Sequence, residues 1–179
     1  SRLLNAAVLP GLAFRDGVPE DFRTLVVVPD MLSNTDDIDE MIQTLEVHYL
    51  SNAAGETYFA LRTDFTDAPS ERMDKDEELL DLTIAGIERL NSLYPSAPFI
   101  LLHRPRLWNE REGKWMGWER KRGKLHEMNR LILGEPAKGM YVAAGLLPPG
   151  IQFVLTLDAD TRLPRDAARR LVGKLAHPL

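Results

Sequence analysis

The sequence predicts an α/β fold in three layers, with a mostly parallel sheet between helices. Short apolar runs rich in branched residues alternate with longer stretches that have apolar residues at helical spacing. Strands that alternate with helices in this way imply parallel pairing and right-handed crossovers, an architecture typical of nucleotide-binding domains. A chain of 179 residues with 44% hydrophobic residues is large enough to bury one core of this kind.

The first half of the chain predicts two strand-helix units. Residues 1–22 contain prolines and glycines without a sustained period, so we expect a lead-in arm before a domain over residues 23–179. Ser33, Asn34 and Thr35 are cap candidates, and acidic residues follow them. The predicted elements are a strand at 25–29, a helix after the caps, a strand at 57–62 and a helix at 74–94.

The second half predicts the remaining strands and helices. Residues 103–118 hold all three tryptophans among charges and glycines, and we expect a loop there. A glycine- and proline-rich stretch at 139–150 predicts a link. The predicted elements are a strand at 98–102, a helix that ends at Gly134, a strand that begins at Phe153 and a helix that Pro164 opens.

Composition excludes several classes of function. The chain has no cysteine, which rules out disulfides, thiol nucleophiles and cysteine-zinc sites, and its four histidines have no metal-ligand spacing. A net charge of −5 argues against a general nucleic-acid binder. No stretch approaches the roughly 20 apolar residues that cross a bilayer, so we expect this segment itself to be soluble. Because it starts at Ser1 and its last helical pattern runs almost to Leu179, we expect a fragment of a longer polypeptide.

The most informative feature is the run F-V-L-T-L-D-A-D-T at residues 153–161. A buried parallel strand here places Asp158 and Asp160 at its carboxyl end, where open α/β sheets bind ligands. Two neighbouring carboxylates repel each other unless one is protonated or a cation lies between them. Mg²⁺ or Mn²⁺ would use one or two of these carboxylates and take its other ligands from water and phosphate. The alternative is that Asp160 or Thr161 caps the next helix, and both interpretations can hold together.

Two other groups of residues are candidates for binding a nucleotide. Asp64 follows the second predicted strand and could accept hydrogen bonds from a nucleobase or ribose, or could begin a turn that ends at Pro69. In the basic run at 120–124, Lys124 could lie near phosphate, and Gly123 would permit a close backbone approach. The alternative for this run is a solvated, basic start of a helix.

Four stretches together resemble a known family. They are V-V-V-P, L-R-T-D-F-T-D-A-P, W-M-G-W-E-R-K-R-G-K-L-H-E-M-N-R-L and T-L-D-A-D-T-R-L-P-R-D-A-A-R-R-L-V-G-K-L-A-H-P-L. From about Asp16 onward the chain is similar to the glycosyltransferase domain of the cyclic β-1,2-glucan synthases. The resemblance implies a GT-A type fold that uses UDP-glucose and a divalent metal, Mg²⁺ or Mn²⁺, to extend a β-1,2-glucan chain with inversion at the anomeric carbon.

The resemblance also implies roles for single residues. Asp158 and Asp160 would be the D-x-D pair that holds the metal and the UDP diphosphate, and Asp64 would belong to the uridine pocket. Gly123 and Lys124 resemble a glycine-lysine element beside the nucleotide in related transferases. The catalytic base is expected beyond Leu179, so the isolated fragment would be inactive. The parent would be a large protein of the bacterial inner membrane, with this part on the cytoplasmic face.

Two readings from other classes remain open. L-D-A-D-T also satisfies the D-x-D-x-T pattern of haloacid-dehalogenase phosphatases, although that pattern normally opens the domain and here it comes late in the chain. The second of these alternatives is a non-catalytic sugar-nucleotide-binding domain. Transfer of sugar by the complete protein would distinguish it from an enzyme.

Overall fold

A computed structural model describes residues 11–117, 120–137, 139–158 and 160–177. A short 3-10 turn at Glu20–Phe22 precedes the first strand. The helices and strands then follow in chain order: β1 Thr24–Leu32, α1 Asp36–Asn52, β2 Thr57–Phe65, α2 Asp76–Leu93, β3 Phe99–Arg104, β4 Leu107–Asn109, β5 Lys114–Met116, α3 Arg120–Ile132, β6 Tyr141–Ala144, β7 Phe153–Thr156 and α4 Ala167–Leu175.

The predicted α/β fold with a mostly parallel sheet flanked by helices is confirmed, and it is consistent with a GT-A type architecture. The five-stranded sheet has the order β6-β3-β2-β1-β7. Its strands β3, β2, β1 and β7 are parallel, and β6 pairs with β3 in the antiparallel direction. The carboxyl ends of the four parallel strands therefore meet at one edge, which we call the carboxyl edge.

Alternation along the strands divides the core into two layers. Val26, Phe59 and Leu101 face the side of α1 and α2, whereas Val27, Ala60 and Leu102 face the side of α3. We call these the α2 side and the α3 side. Each fully buried Val, Leu or Ile contributes roughly 1.5–3 kcal/mol, so a sheet covered on both faces is the main source of stability.

The first two helices start where the sequence supplies acceptors for unpaired backbone groups. Asn34 Oδ1 accepts the backbone N–H of Asp37 at 3.0 Å, and Asp76 Oδ2 accepts the backbone N–H of Met73 at 2.8 Å. Three acidic residues in the first turn of each helix suit the positive end of its dipole.

The structure corrects the boundaries of two predicted strands and the content of two predicted loops. Strands β1 and β2 run three residues beyond the predicted 25–29 and 57–62, because Asp30 and Asp64 stay in the ladder, where Asp30 pairs with Thr63 and Asp64 with Met31. The predicted loop at 103–118 contains the β4–β5 hairpin, and the predicted link at 139–150 contains β6. Three- and four-residue strands among charges and glycines give no periodic signal.

The prediction that Pro164 opens the last helix is wrong. Helix α4 begins at Ala167, after Asp166 adopts a left-handed conformation with φ 59°. The arm before β1 is tied to the domain, since the N–H of Leu12 donates to Gly173 O and Val18 forms a bridge with Gly55. The division into an arm and a domain stays a prediction. Within the described ranges, no helix has the length and apolar character needed to cross a bilayer.

Candidate functional site

Asp158 and Asp160 follow β7 at the carboxyl edge. The N–H of Leu157 donates to Val27 O at 2.9 Å, so the ladder with β1 continues one residue past the strand. A turn closed by the N–H of Thr161 and Asp158 O, at 2.9 Å, then carries the chain away from the sheet. Both aspartates are exposed. Because α4 begins only at Ala167, neither Asp160 nor Thr161 caps it, and the capping alternative is wrong.

The donor set at this edge suits a hard divalent cation. The described residues contain no group of three histidine, cysteine or acidic side chains arranged to hold a metal. Mg²⁺ does not need such a cage, because it keeps several waters and is commonly held by one or two carboxylates together with substrate phosphates. Asp158 and Asp160 fit that requirement, and their role as metal ligands stays a prediction.

Asp64 is buried in a cluster on the α3 side rather than in a turn. It lies in β2 directly beside Arg104 of β3, and its Oδ1 accepts a hydrogen bond from Arg104 Nε at 2.9 Å. Arg104 Nη1 also lies 3.5 Å from Oε2 of Glu127, a residue of α3. All three side chains are at most 5% exposed. The predicted turn beginning at Asp64 is therefore absent, and its place in a uridine pocket stays a prediction.

Arg62 completes the α3-side cluster, which consists of Arg62, Asp64, Arg104 and Glu127. It is 6% exposed, and its Nε is buried without a hydrogen-bond partner in the part of the chain that the structure describes. Burial lowers the pKa of Arg62 from its ordinary value; the charge of Asp64 opposes this shift and that of Arg104 adds to it. A buried guanidinium is stable only where acceptors or opposite charge lie close to it.

The glycine-lysine element lies in α3. Gly123 is buried inside this helix, and the side chain of Lys124 lies outside the described residues. Helix α3 begins at Arg120, so the basic run starts a helix. The phosphate role and the solvated alternative both stay predictions, because the basic side chains of this run lie outside the described residues. Gly117, just before it, lies against Arg104: a Cβ at this position would meet Arg104 Nη2. The absence of a side chain there leaves room for the buried guanidinium.

The α2 side of the same edge holds a second cluster of buried polar groups. His103 Nδ1 and Thr63 Oγ1 are 2.9 Å apart, and the imidazole packs edge-on against Phe65 with ring centroids 4.5 Å apart. Burial lowers the pKa of His103 to about 4, against the opposing charges of Asp64 and Asp76. The imidazole is therefore neutral at pH 7.

Arg106 satisfies its donors on this side. Its Nη1 and Nη2 donate to the two carboxylate oxygens of Asp76 at 2.5 and 3.1 Å, and Nε donates to Thr66 O at 2.5 Å. The guanidinium carbon lies 4.9 Å from the ring centroid of Phe65. An open cleft of about 620 Å³ adjoins these groups and is bounded by the β2–α2 loop, His103 and Tyr141.

The tryptophans are split between the hairpin and the undescribed residues. Trp108 of β4 and Trp115 of β5 are cross-strand partners, and their rings make an edge contact with centroids 5.8 Å apart. Trp108 is nevertheless 50% exposed. Trp118 lies outside the described residues.

Sequence reasoning missed Arg62, Arg104 and Glu127. A signal was present in the first two, because a charged residue near the carboxyl end of an otherwise apolar strand is buried by its neighbours and needs a reason to be there. No signal identified their partners. Contact between β2 and β3 depends on strand order and register, and contact with Glu127 depends on how α3 packs.

A comparison of the sequence with known proteins gives one informative similarity. Over 174 residues, 96% of the chain, it is 51% identical to the cyclic β-(1,2)-glucan synthase NdvB of Rhizobium meliloti (strain 1021). The chain spans 6% of the length of that relative. No protein-family model matches the chain.

Proposed function

We propose that this chain is the nucleotide-sugar-binding part of an inverting glucosyltransferase that builds cyclic β-1,2-glucan from UDP-glucose with Mg²⁺ or Mn²⁺. The observation that supports it most is the 51% identity to a cyclic β-(1,2)-glucan synthase, which extends across 96% of the chain and includes the candidate site. The growing glucan chain would be the acceptor. The complete protein would be membrane-bound, with this part on the cytoplasmic side of the inner membrane.

The residues at the carboxyl edge have separate tasks in this proposal. Asp158 and Asp160 supply two hard oxygen ligands and, in their exposed positions, would admit a metal-diphosphate complex from solvent. Asp64, fixed by Arg104, would present its carboxylate to the nucleoside. A bound divalent cation supplies charge neutralisation of the leaving diphosphate. The β1 strand between β2 and β7 holds the nucleoside and metal ligands apart by about two strand spacings, roughly 10 Å.

The test of catalysis uses the complete protein in membranes. Asp158→Asn and Asp160→Asn remove the charge of one ligand each with almost no change of shape, and we expect each to reduce glucan synthesis by more than about a hundredfold, since a metal clamp contributes several kcal/mol. Asp81→Asn, an exposed position on α2, is the matched control. Wild-type synthesis by the Asp160→Asn protein would contradict the metal role.

The test of binding uses the 179-residue chain. We expect UDP to bind in the millimolar range, about −4 kcal/mol, with Mn²⁺ present, and to bind more weakly after chelation. Titration calorimetry measures both conditions. Equal affinity with and without metal would contradict metal dependence. Release of phosphate from an aryl phosphate, abolished by Asp158→Asn, would instead support the phosphatase alternative.

A further inference from the structure

Arg62 is a buried side chain at the carboxyl edge with a donor that makes no hydrogen bond to the described residues. It is 6% exposed, its Nε has no hydrogen-bond partner among described residues, and no ion pair in the described part of the chain includes it. An arginine presents five N–H donors and can discard none of them by losing its proton at neutral pH. Leaving such donors buried and unbonded is costly.

Electrostatic neutrality of the cluster does not remove the need for a partner. The two arginines and two acids of the α3-side cluster have formal charges that cancel, but both acids lie next to Arg104. Asp64 Oδ1 takes a hydrogen bond from Arg104 Nε, and Glu127 Oε2 is 3.5 Å from Arg104 Nη1. Both carboxylate oxygens of Glu127 also make no hydrogen bond among the described residues, so the cluster contains acceptors, but none of them bonds to Arg62 Nε. What Arg62 lacks is therefore an acceptor within reach rather than a compensating charge.

The sheet register places Arg62 near the D-x-D pair. Arg62 pairs with Pro29 of β1, and Thr156 of β7 pairs with Val27, so the chain at Asp158 reaches the level of Pro29 on the opposite flank. By alternation from Val154, which packs on the α3 side, Asp158 falls on the same side as Arg62. Two strand spacings, about 10 Å, separate the two backbones, which an arginine side chain and a phosphate group together can span.

We propose that the guanidinium of Arg62 donates hydrogen bonds to the phosphate oxygens of the nucleotide sugar, on the flank opposite Asp158. This inference rests on the proposed function and adds a binding residue to it. A divalent cation held by two carboxylates leaves most of the diphosphate charge to be balanced by the protein, and phosphate oxygens are the acceptors that a guanidinium fork matches. The ligand would thus satisfy donors that the fold leaves unbonded.

The experiment compares three probes on the 179-residue chain with Mn²⁺: UDP, uridine and inorganic pyrophosphate. Arg62→Met removes the donors and keeps much of the apolar stem, whereas Arg62→Lys keeps the charge and loses the fork. Arg89→Met, an exposed position on α2, is the matched control. Titration calorimetry measures affinity, and circular dichroism verifies that each variant is folded.

We expect Arg62→Met to lower the affinity for UDP and for pyrophosphate at least tenfold, about 1.4 kcal/mol, and to change the affinity for uridine less than twofold. Arg62→Lys should be intermediate, and Arg89→Met should match the wild type. Unchanged UDP affinity in a folded Arg62→Met chain, or an equal loss for UDP and uridine, would overturn the phosphate contact.

Failure of the proposed function has a different signature. If the wild type binds pyrophosphate in an Arg62-dependent way but not UDP, the nucleoside assignment fails and the phosphate contact stands. If the wild type binds UDP and Arg62→Met binds it equally well, the phosphate contact fails and the nucleoside assignment stands. If the wild type binds neither probe, the Arg62 inference is overturned as well.

Discussion

At the carboxyl edge, each face of the sheet buries an arginine, but the two arginines differ in the hydrogen bonds they make. On the α2 side, Arg106 donates to both oxygens of Asp76 and to two backbone carbonyls, and it stacks on Phe65. On the α3 side, Arg62 is also buried, with 6% of its surface exposed against 3% for Arg106, and it makes no hydrogen bond through Nε to any described residue. The contrast separates an arginine that holds the fold together from one that the fold leaves ready for a ligand.

The largest expected effect is the loss of the Arg106 pair. Arg106→Met leaves Asp76 buried without its partner, and breaking a buried ion pair costs about 3–5 kcal/mol. Denaturant unfolding measures the loss, with Arg89→Met as an exposed control. The double variant Arg106→Met, Asp76→Asn should recover part of it, because the charge left behind is removed. A decrease in unfolding free energy below about 1 kcal/mol would show that Arg106 stabilises the fold little more than Arg62 does, and would contradict the comparison.

The pH dependence of stability comes next in size. The pKa of His103 is about 4 in the folded protein, below the ordinary 6.5, because burial disfavours the charged ring. The unfolded state therefore binds more protons between these values. The contribution of His103 to the free energy of unfolding is therefore fully present above pH 6.5. It decreases as the pH falls toward 4, by about 3 kcal/mol at most.

The measurement for His103 is the slope of unfolding free energy between pH 6.5 and 5, where most carboxylates are still ionised. His103→Gln should flatten this slope relative to wild type. The surrounding charges of Asp64, Asp76 and Arg106 are unchanged in that variant. His48, whose pKa burial also lowers, contributes a background slope that His48→Gln isolates. An unchanged slope in His103→Gln would show that the imidazole titrates normally.

A smaller effect is expected from Gly117→Ala, which disturbs the α3 side without changing a charge. The added methyl would collide with Arg104 Nη2, so the guanidinium must move away from Asp64 or the loop must shift. Overpacking of this kind costs about 1–3 kcal/mol. Unfolding and UDP titration should both show a loss, because Arg104 fixes Asp64. Gly139→Ala, with no atom nearer than 3.8 Å to the new Cβ, is the control.

The sequence alone predicts the architecture, but it does not predict the difference between Arg62 and Arg106. Apolar runs such as L-V-V-V and F-I-L-L identify central strands because a parallel sheet buries both faces, and Asp158 was placed at the edge by the same logic. The pairing of Asp64 with Arg104 depends on the β2–β3 register, which puts residues 40 positions apart side by side. Nothing in either local sequence encodes that register, so the sequence leaves a nucleoside contact and a turn as alternatives for Asp64 and does not predict its pairing with Arg104.

The smallest expected effect is on the stability of the ligand-free Arg62→Met chain, and it distinguishes the two arginines most directly. The hydrogen bonds of Arg106 offset the cost of burying its charge. Arg62 makes no hydrogen bond through Nε to the described residues, and the nearby charge of Arg104 repels it. Replacing a buried charge that lacks acceptors by an apolar chain of similar reach is often neutral or stabilising. We therefore expect an unfolding free energy between unchanged and about 1 kcal/mol higher than wild type, measured beside Arg106→Met under the same conditions. A loss above about 2 kcal/mol would mean that Arg62 supports the fold as Arg106 does. A gain in stability together with weaker UDP binding would be the expected pattern for a group whose partner is the ligand.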